Sequence, residues 1–130
     1  AGCKDSAPDY YKGIIVDGLF SSFKDIYADH FIELGHKLFP VFYEVWIWFY
    51  LKNKVSIRKS YPIRYVHKLK PRILYIYSKE DQYSKHKKSM NLYNSTKSEK
   101  KIKWFDKGVH SHVRFHNEIE YDNVIKEFVK

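Results

Sequence analysis

The chain has 130 residues, room for one domain with its own core; apolar residues make up 44% of it and it has few glycines and prolines (5 and 4), a composition that excludes a disordered chain. The net charge of +9, from 24 basic and 15 acidic residues, admits nucleic acid or an anionic membrane surface as partners. Much of that charge is lysine spread over helix faces and turns, where it serves solvation. The single cysteine, Cys3, excludes an internal disulfide and fits a reducing, cytoplasmic compartment. No signal peptide is visible, and the first residue is Ala1 rather than Met.

Residues 1–9 are small and polar and read as the end of an element followed by a loop. Ile14-Ile15-Val16 is predicted to be a short buried strand that ends at the turn signal Asp17-Gly18. Ser21 and Ser22 are placed to cap a short helix through Ile26 and Tyr27. From Pro40 to Leu51 only Glu44 is polar, a run too short for a membrane span of about 20 residues. It predicts a helix that is apolar on nearly every side. Three uses are open to such a helix: burial under other protein, a lid over an apolar substrate, or contact with lipid. Lys52 to Lys59 reads as a basic connector.

Pro62 suits the first position of a short helical turn leading to Pro71. Residues 72–77 then form the most apolar strand, β-branched and aromatic without alternation, as in a parallel sheet covered on both faces. Residues 83–94 predict a helix with Tyr83, His86, Met90 and Tyr93 on one side, and Ser95 to Lys101 a charged loop. Ile102–Phe105 is a third strand. Asn117 and Glu120 outline a capping box for a last helix, whose apolar stripe is Tyr121, Val124, Ile125 and Phe128. Strands alternating with helices predict parallel pairing with crossover connections. The first strand is expected to have an open edge, to be filled by another parallel strand upstream of Ala1.

Two residues with acid–base chemistry follow strand C-terminal ends, where open α/β sheets place their sites: Asp81 after the second strand and His110 after the third. A carboxylate that accepts from a histidine Nδ1–H orients the ring as a base for a hydroxyl nucleophile. Asp17 is a rival acid and His112 a rival base. His110, His112 and His116 could also gather a metal, but no cysteine or paired carboxylate joins them, so no metal is expected. Ser21 and Ser22 follow the wrong strand for a nucleophile, and no glycine pattern cradles a phosphate.

Three segments carry a resemblance. Tyr11–Ile26 (YKGIIVDGLFSSFKDI) is similar to the strand and turn that follow the nucleophile helix in the serine α/β-hydrolases of esterase and lipase type. Pro62–Asp81 resembles their penultimate strand and acid loop, and Trp104–His110 (WFDKGVH) their last strand and histidine loop. The resemblance covers nearly the whole chain outside residues 30–60, where the family inserts a variable cap. It implies an α/β fold: the C-terminal part of an α/β-hydrolase, with three parallel strands, flanking helices and an aromatic helical cap, as one partial domain over 1–130. Asp81 would be the triad acid and His110 the base, while Phe42, Trp46 and Phe49 would cover the acyl group of a small, apolar substrate. No G-x-S-x-G occurs in the 130 residues, so the nucleophile would lie upstream of Ala1 and the chain alone would be inactive. Neither cofactor nor nucleic acid is implied; a membrane-associated parent is compatible through the aromatic cap. The alternative is a non-catalytic basic α/β module that binds an anionic surface or nucleic acid through Lys52–Arg58 and Lys85–Lys88.

Overall fold

The computed structural model describes residues 12–35, 40–54 and 61–130. Cys3, the N-terminal loop and the connector at 55–60 lie outside them, as does the side chain of Phe42. The described chain forms two compact units: Ser22–Pro62, and the residues on either side of it.

The larger unit is an α/β layer structure. Strands β1 (Gly13–Asp17), β2 (Arg72–Ser78) and β3 (Lys100–Phe105) form a parallel sheet in the order β1-β2-β3. Asp17 pairs with Ile76, and Ser78 with Phe105, so all three strands finish at one rim. β2 is central and buried along nearly its whole length, as its unbroken apolar run requires. Its side chains divide by the two-residue period of a strand. Leu74 and Ile76 pack with Phe105, Val113, Tyr121 and Phe128, whereas Ile73, Tyr75 and Tyr77 pack with Val66 and Leu92. The first set is covered by α5 (Glu118–Val129), which supplies the expected stripe of Tyr121, Val124, Ile125 and Phe128. Over the second lie α3 (His86–Ser95) and two short 3₁₀ turns, Pro62–Arg64 and Val66–Lys68.

Several boundaries differ from expectation for local reasons. α3 begins at His86 rather than residue 83, because the amides of Tyr83 and Ser84 donate to Asp81 and Lys85 is still extended (ψ 136°). β3 begins at Lys100, inside the predicted charged loop, because ladder bonds join backbones whatever the side chains are. The Lys100 ammonium is used as well: it donates to the carbonyls of Tyr93 (2.8 Å) and Thr96 (2.6 Å), where the dipole at the C-terminus of α3 favours a cation. Asn117 does not form the capping box. Its amide donates to the carbonyls of Lys107 and Val113, and a four-residue helix α4 (Val113–His116), absent from the sequence reading, precedes it.

In the smaller unit, α1 (Phe23–Glu33) starts directly after Ser22 and runs beyond the expected end near Tyr27. The aromatic run forms α2 (Val41–Asn53), closed by Lys54 in the left-handed region (φ 54°), whose amide donates to the Tyr50 carbonyl. Among the described residues, no helix is long and apolar enough to cross a membrane.

The buried tyrosines make the fold sensitive to alkali. Burial and the Asp17 carboxylate, which accepts from its hydroxyl at 2.9 Å, push the Tyr121 phenol up to about 12. Burial also raises Tyr75 and Tyr77. An unfolded tyrosine releases its proton near about pH 10. Below that pH these groups contribute their full stability; above it the unfolded chain loses protons that the folded chain keeps, and stability falls. Urea midpoints measured from pH 8 upward should therefore decline beyond about pH 10, and less steeply in Tyr121→Phe.

Candidate active site

The rim where the strands finish carries three exit loops in contact. Residues 79–81 leave β2 and residues 106–110 leave β3, and they are tied together in register. The Lys79 amide donates to the Phe105 carbonyl (2.9 Å), and its ammonium meets Asp106 (2.6 Å). The Glu80 carboxylate accepts from the Gly108 amide (2.8 Å). One residue further along, an Asp81 oxygen lies 2.8 Å from His110 Nδ1.

Asp81 is the most enclosed charge of the rim, its side chain 1% exposed against 30% for His110. Oδ1 accepts from the Tyr83 amide (2.8 Å) and the Ser84 amide (3.0 Å), and Oδ2 faces His110. A carboxylate can only accept, so the facing nitrogen carries the imidazole proton. This fixes the neutral ring as the Nδ1–H tautomer and leaves Nε2 with a free lone pair, the state of a ring able to take a proton from a hydroxyl. The Tyr83 ring packs against the imidazole nearly at right angles (77°), with centroids 5.3 Å apart.

The β1 exit forms the third wall. Gly18 donates its amide to the Ile76 carbonyl (2.9 Å), and its own carbonyl accepts from the Ser84 hydroxyl (2.5 Å). Its φ is +63°, and a Cβ there would stand 2.9 Å from His110 Cε1 and 3.3 Å from Asp81 Oδ2. Glycine is thus required twice at this position, for the turn and for the space the imidazole occupies. Gly108 is similar: with φ +116°, a Cβ would lie 2.7 Å from the Val113 Cα.

The rivals stand elsewhere. Asp17 accepts from Tyr121 rather than from a histidine. His112 is exposed, and its Nδ1 lies 3.0 Å from the His110 carbonyl. Among the described residues, no three His, Cys, Asp or Glu side chains gather as a metal group. Ser21 and Ser22 are buried, 5% and 3% exposed. Trp46 and Phe49 are half-buried residues of α2, in the separately described unit. Sequence reasoning singled out Asp81 and His110, but missed the contributions of Gly18, Glu80, Tyr83 and Ser84. The only available signal was Gly18 inside a turn, which does not say what the turn must avoid.

No family model matches the chain, and no curated protein matches it. Solved structures do. Acetyl xylan esterase 1 from Thermoanaerobacterium sp. superposes with a TM-score of 0.54 at 18% identity, over 85% of this chain and 36% of that one. The acylaminoacyl peptidase of Pyrococcus horikoshii gives 0.59 at 22% identity, over 93% and 20%. An acylaminoacyl peptidase in complex with a peptidyl chloromethyl ketone gives 0.61 at 24% identity, over 95% and 20%. The chain thus spans between 20% and 36% of the length of these structures. The fold is of the α/β-hydrolase kind: the three parallel strands and flanking helices match the C-terminal part of the hydrolase folds in these esterases and peptidases.

Gly18→Ala is expected to push the imidazole away from Asp81. The proton between Nδ1 and the carboxylate should give a downfield proton NMR signal in the unsubstituted chain. That signal should vanish in Gly18→Ala as it does in Asp81→Asn, with a stability loss of about 1–2 kcal/mol from the left-handed backbone. Survival of the signal in Gly18→Ala would contradict the close packing.

Proposed function

We propose that this chain is the C-terminal portion of a serine hydrolase that cleaves carboxylic esters or related acyl bonds. In this reading it contributes the acid Asp81 and the base His110. The observation that carries it is the 2.8 Å contact between a buried carboxylate and an imidazole on neighbouring strand exits, 29 residues apart in sequence. The esterase and peptidase neighbours of the fold support the same chemistry.

The steps follow from the proton positions. Nε2 of His110 takes the proton of a serine hydroxyl as its oxygen attacks the acyl carbonyl carbon. The ring becomes an imidazolium, which Asp81 stabilises through the Nδ1–H bond without itself being protonated. Nε2–H then passes its proton to the leaving alkoxide as the carbon–oxygen bond breaks. Water repeats the sequence on the acyl-enzyme and releases the acid. The serine and one oxyanion donor, the amide after it, belong to a nucleophile elbow, a motif the 130 residues do not contain, and the second donor belongs to an earlier strand–helix loop. The resemblance, and not the geometry, assigns Phe42, Trp46 and Phe49 to the apolar acyl part of the small-molecule substrate. Asp81 also weighs against the alternative of a non-catalytic basic module: binding polyanions gives no use to a buried carboxylate that fixes a histidine tautomer.

The test uses the product of the natural gene and p-nitrophenyl esters of increasing chain length. His110→Ala and Asp81→Asn should each lower kcat by about 10⁴-fold with little change in KM. The 130-residue chain alone should hydrolyse these esters no faster than buffer. An active gene product whose kcat is untouched by His110→Ala would sink the assignment, as would a product with no acyl hydrolysis on the series.

A further inference from the structure

α2 has two unlike sides. Trp46 and Phe49 are half-buried, whereas Ile47, Trp48 and Leu51 are 60%, 60% and 57% exposed. At about 100° per residue these last three fall on one face, and Glu44 is the only acid among them, one turn nearer the helix start. Three large apolar side chains open to solvent on one face of a helix are unusual in a domain bathed only in water.

The charges beside them say what kind of surface would cover the face. The Lys52 ammonium sits 4.8 Å from the centre of the Trp48 ring, at the border of the apolar face. Lys54 closes the helix. The sequence continues through Arg58 and Lys59, giving four basic and no acidic residues between positions 52 and 59. A tryptophan flanked by lysine suits the boundary between acyl chains and headgroups: the indole sits among the glycerol groups and the ammonium reaches a phosphate. At 13 residues, α2 is about 20 Å long, too short to span the hydrocarbon, so it would lie along the interface. A nucleic acid would be served by the cations but would leave Ile47 and Leu51 in water. A second protein would be served by the apolar residues but has no stated need of the basic run.

We propose that the Ile47–Trp48–Leu51 face of α2, with Lys52 and Lys54, docks the protein on an anionic lipid bilayer. Apolar burial holds the face in the membrane, and the basic run selects negatively charged headgroups. This stands apart from the hydrolase assignment, since none of the five residues belongs to the Asp81–His110 site.

The experiment is co-sedimentation of the 130-residue chain with phosphatidylcholine vesicles, with and without phosphatidylglycerol, read together with tryptophan emission. Partitioning onto the anionic vesicles with a blue shift is expected, weakened by added salt. Lys52→Gln and Lys54→Gln should each lower the partition coefficient about fivefold. Trp48→Ala combined with Ile47→Ser should lower it by more than about tenfold. Circular dichroism should show an unchanged fold, because the substituted side chains are exposed. Equal binding to neutral and anionic vesicles would overturn the proposal. So would the absence of binding, or binding that the α2 variants leave intact. Concentration-dependent self-association abolished by the Trp48 variant, without vesicle binding, would overturn it in favour of a second copy on this face.

Discussion

A carboxylate with 1% of its side chain exposed is costly to keep ionised unless donors replace the water it has lost. Asp81 has three: two amides of its own loop and the imidazole of His110. The two amides bend the chain after β2 and delay the start of α3. The third donor reaches across to the loop after β3, so one buried charge shapes one exit loop and anchors another. The geometry of the rim follows from satisfying that charge.

The parallel register makes this inexpensive. Because β2 and β3 finish side by side, residues a few positions beyond each end are neighbours without a long excursion. The backbone bond from Lys79 to Phe105 and the Glu80–Gly108 bond close the intervening gap, so the imidazole meets Asp81 from a loop already held at two points. β1 adds the space: Gly18, having no side chain, lets its turn approach the ring closely. The imidazole is thus held in one orientation by a support that three exit loops share.

The two units obey different rules. The α/β unit buries both faces of its central strand and directs its polar chemistry to one edge. The other unit carries a helix that is apolar all round, a pattern that by itself specifies no single neighbour. Its exposed face is bordered by Lys52, beside the Trp48 ring, and by Lys54 at the helix end, the charges on which the proposed lipid docking rests.

Much of the architecture was legible in the residues. The unbroken run Ile73–Tyr77 read as a strand covered on both sides, and the stripe from Tyr121 to Phe128 as the apolar face of a helix, and the structure has both. Strand–helix alternation dictated parallel pairing, and parallel pairing brought Asp81 and His110 to one rim. Boundaries were less legible where backbone bonding overrides side-chain character, as at Lys100, or where a side chain recruits amides, as at Tyr83 and Ser84. Asn117 misled because an amide side chain can donate as well as accept, and carbonyls of the folded chain claimed its donor. The sequence by itself therefore determined the layers, the parallel pairing and the rim on which the candidate acids and bases lie, because periodicity and chain direction are local properties. Only the tertiary structure decided which carboxylate the histidine faces, which tautomer it holds and why residue 18 has no side chain, because these depend on distances between loops remote in sequence.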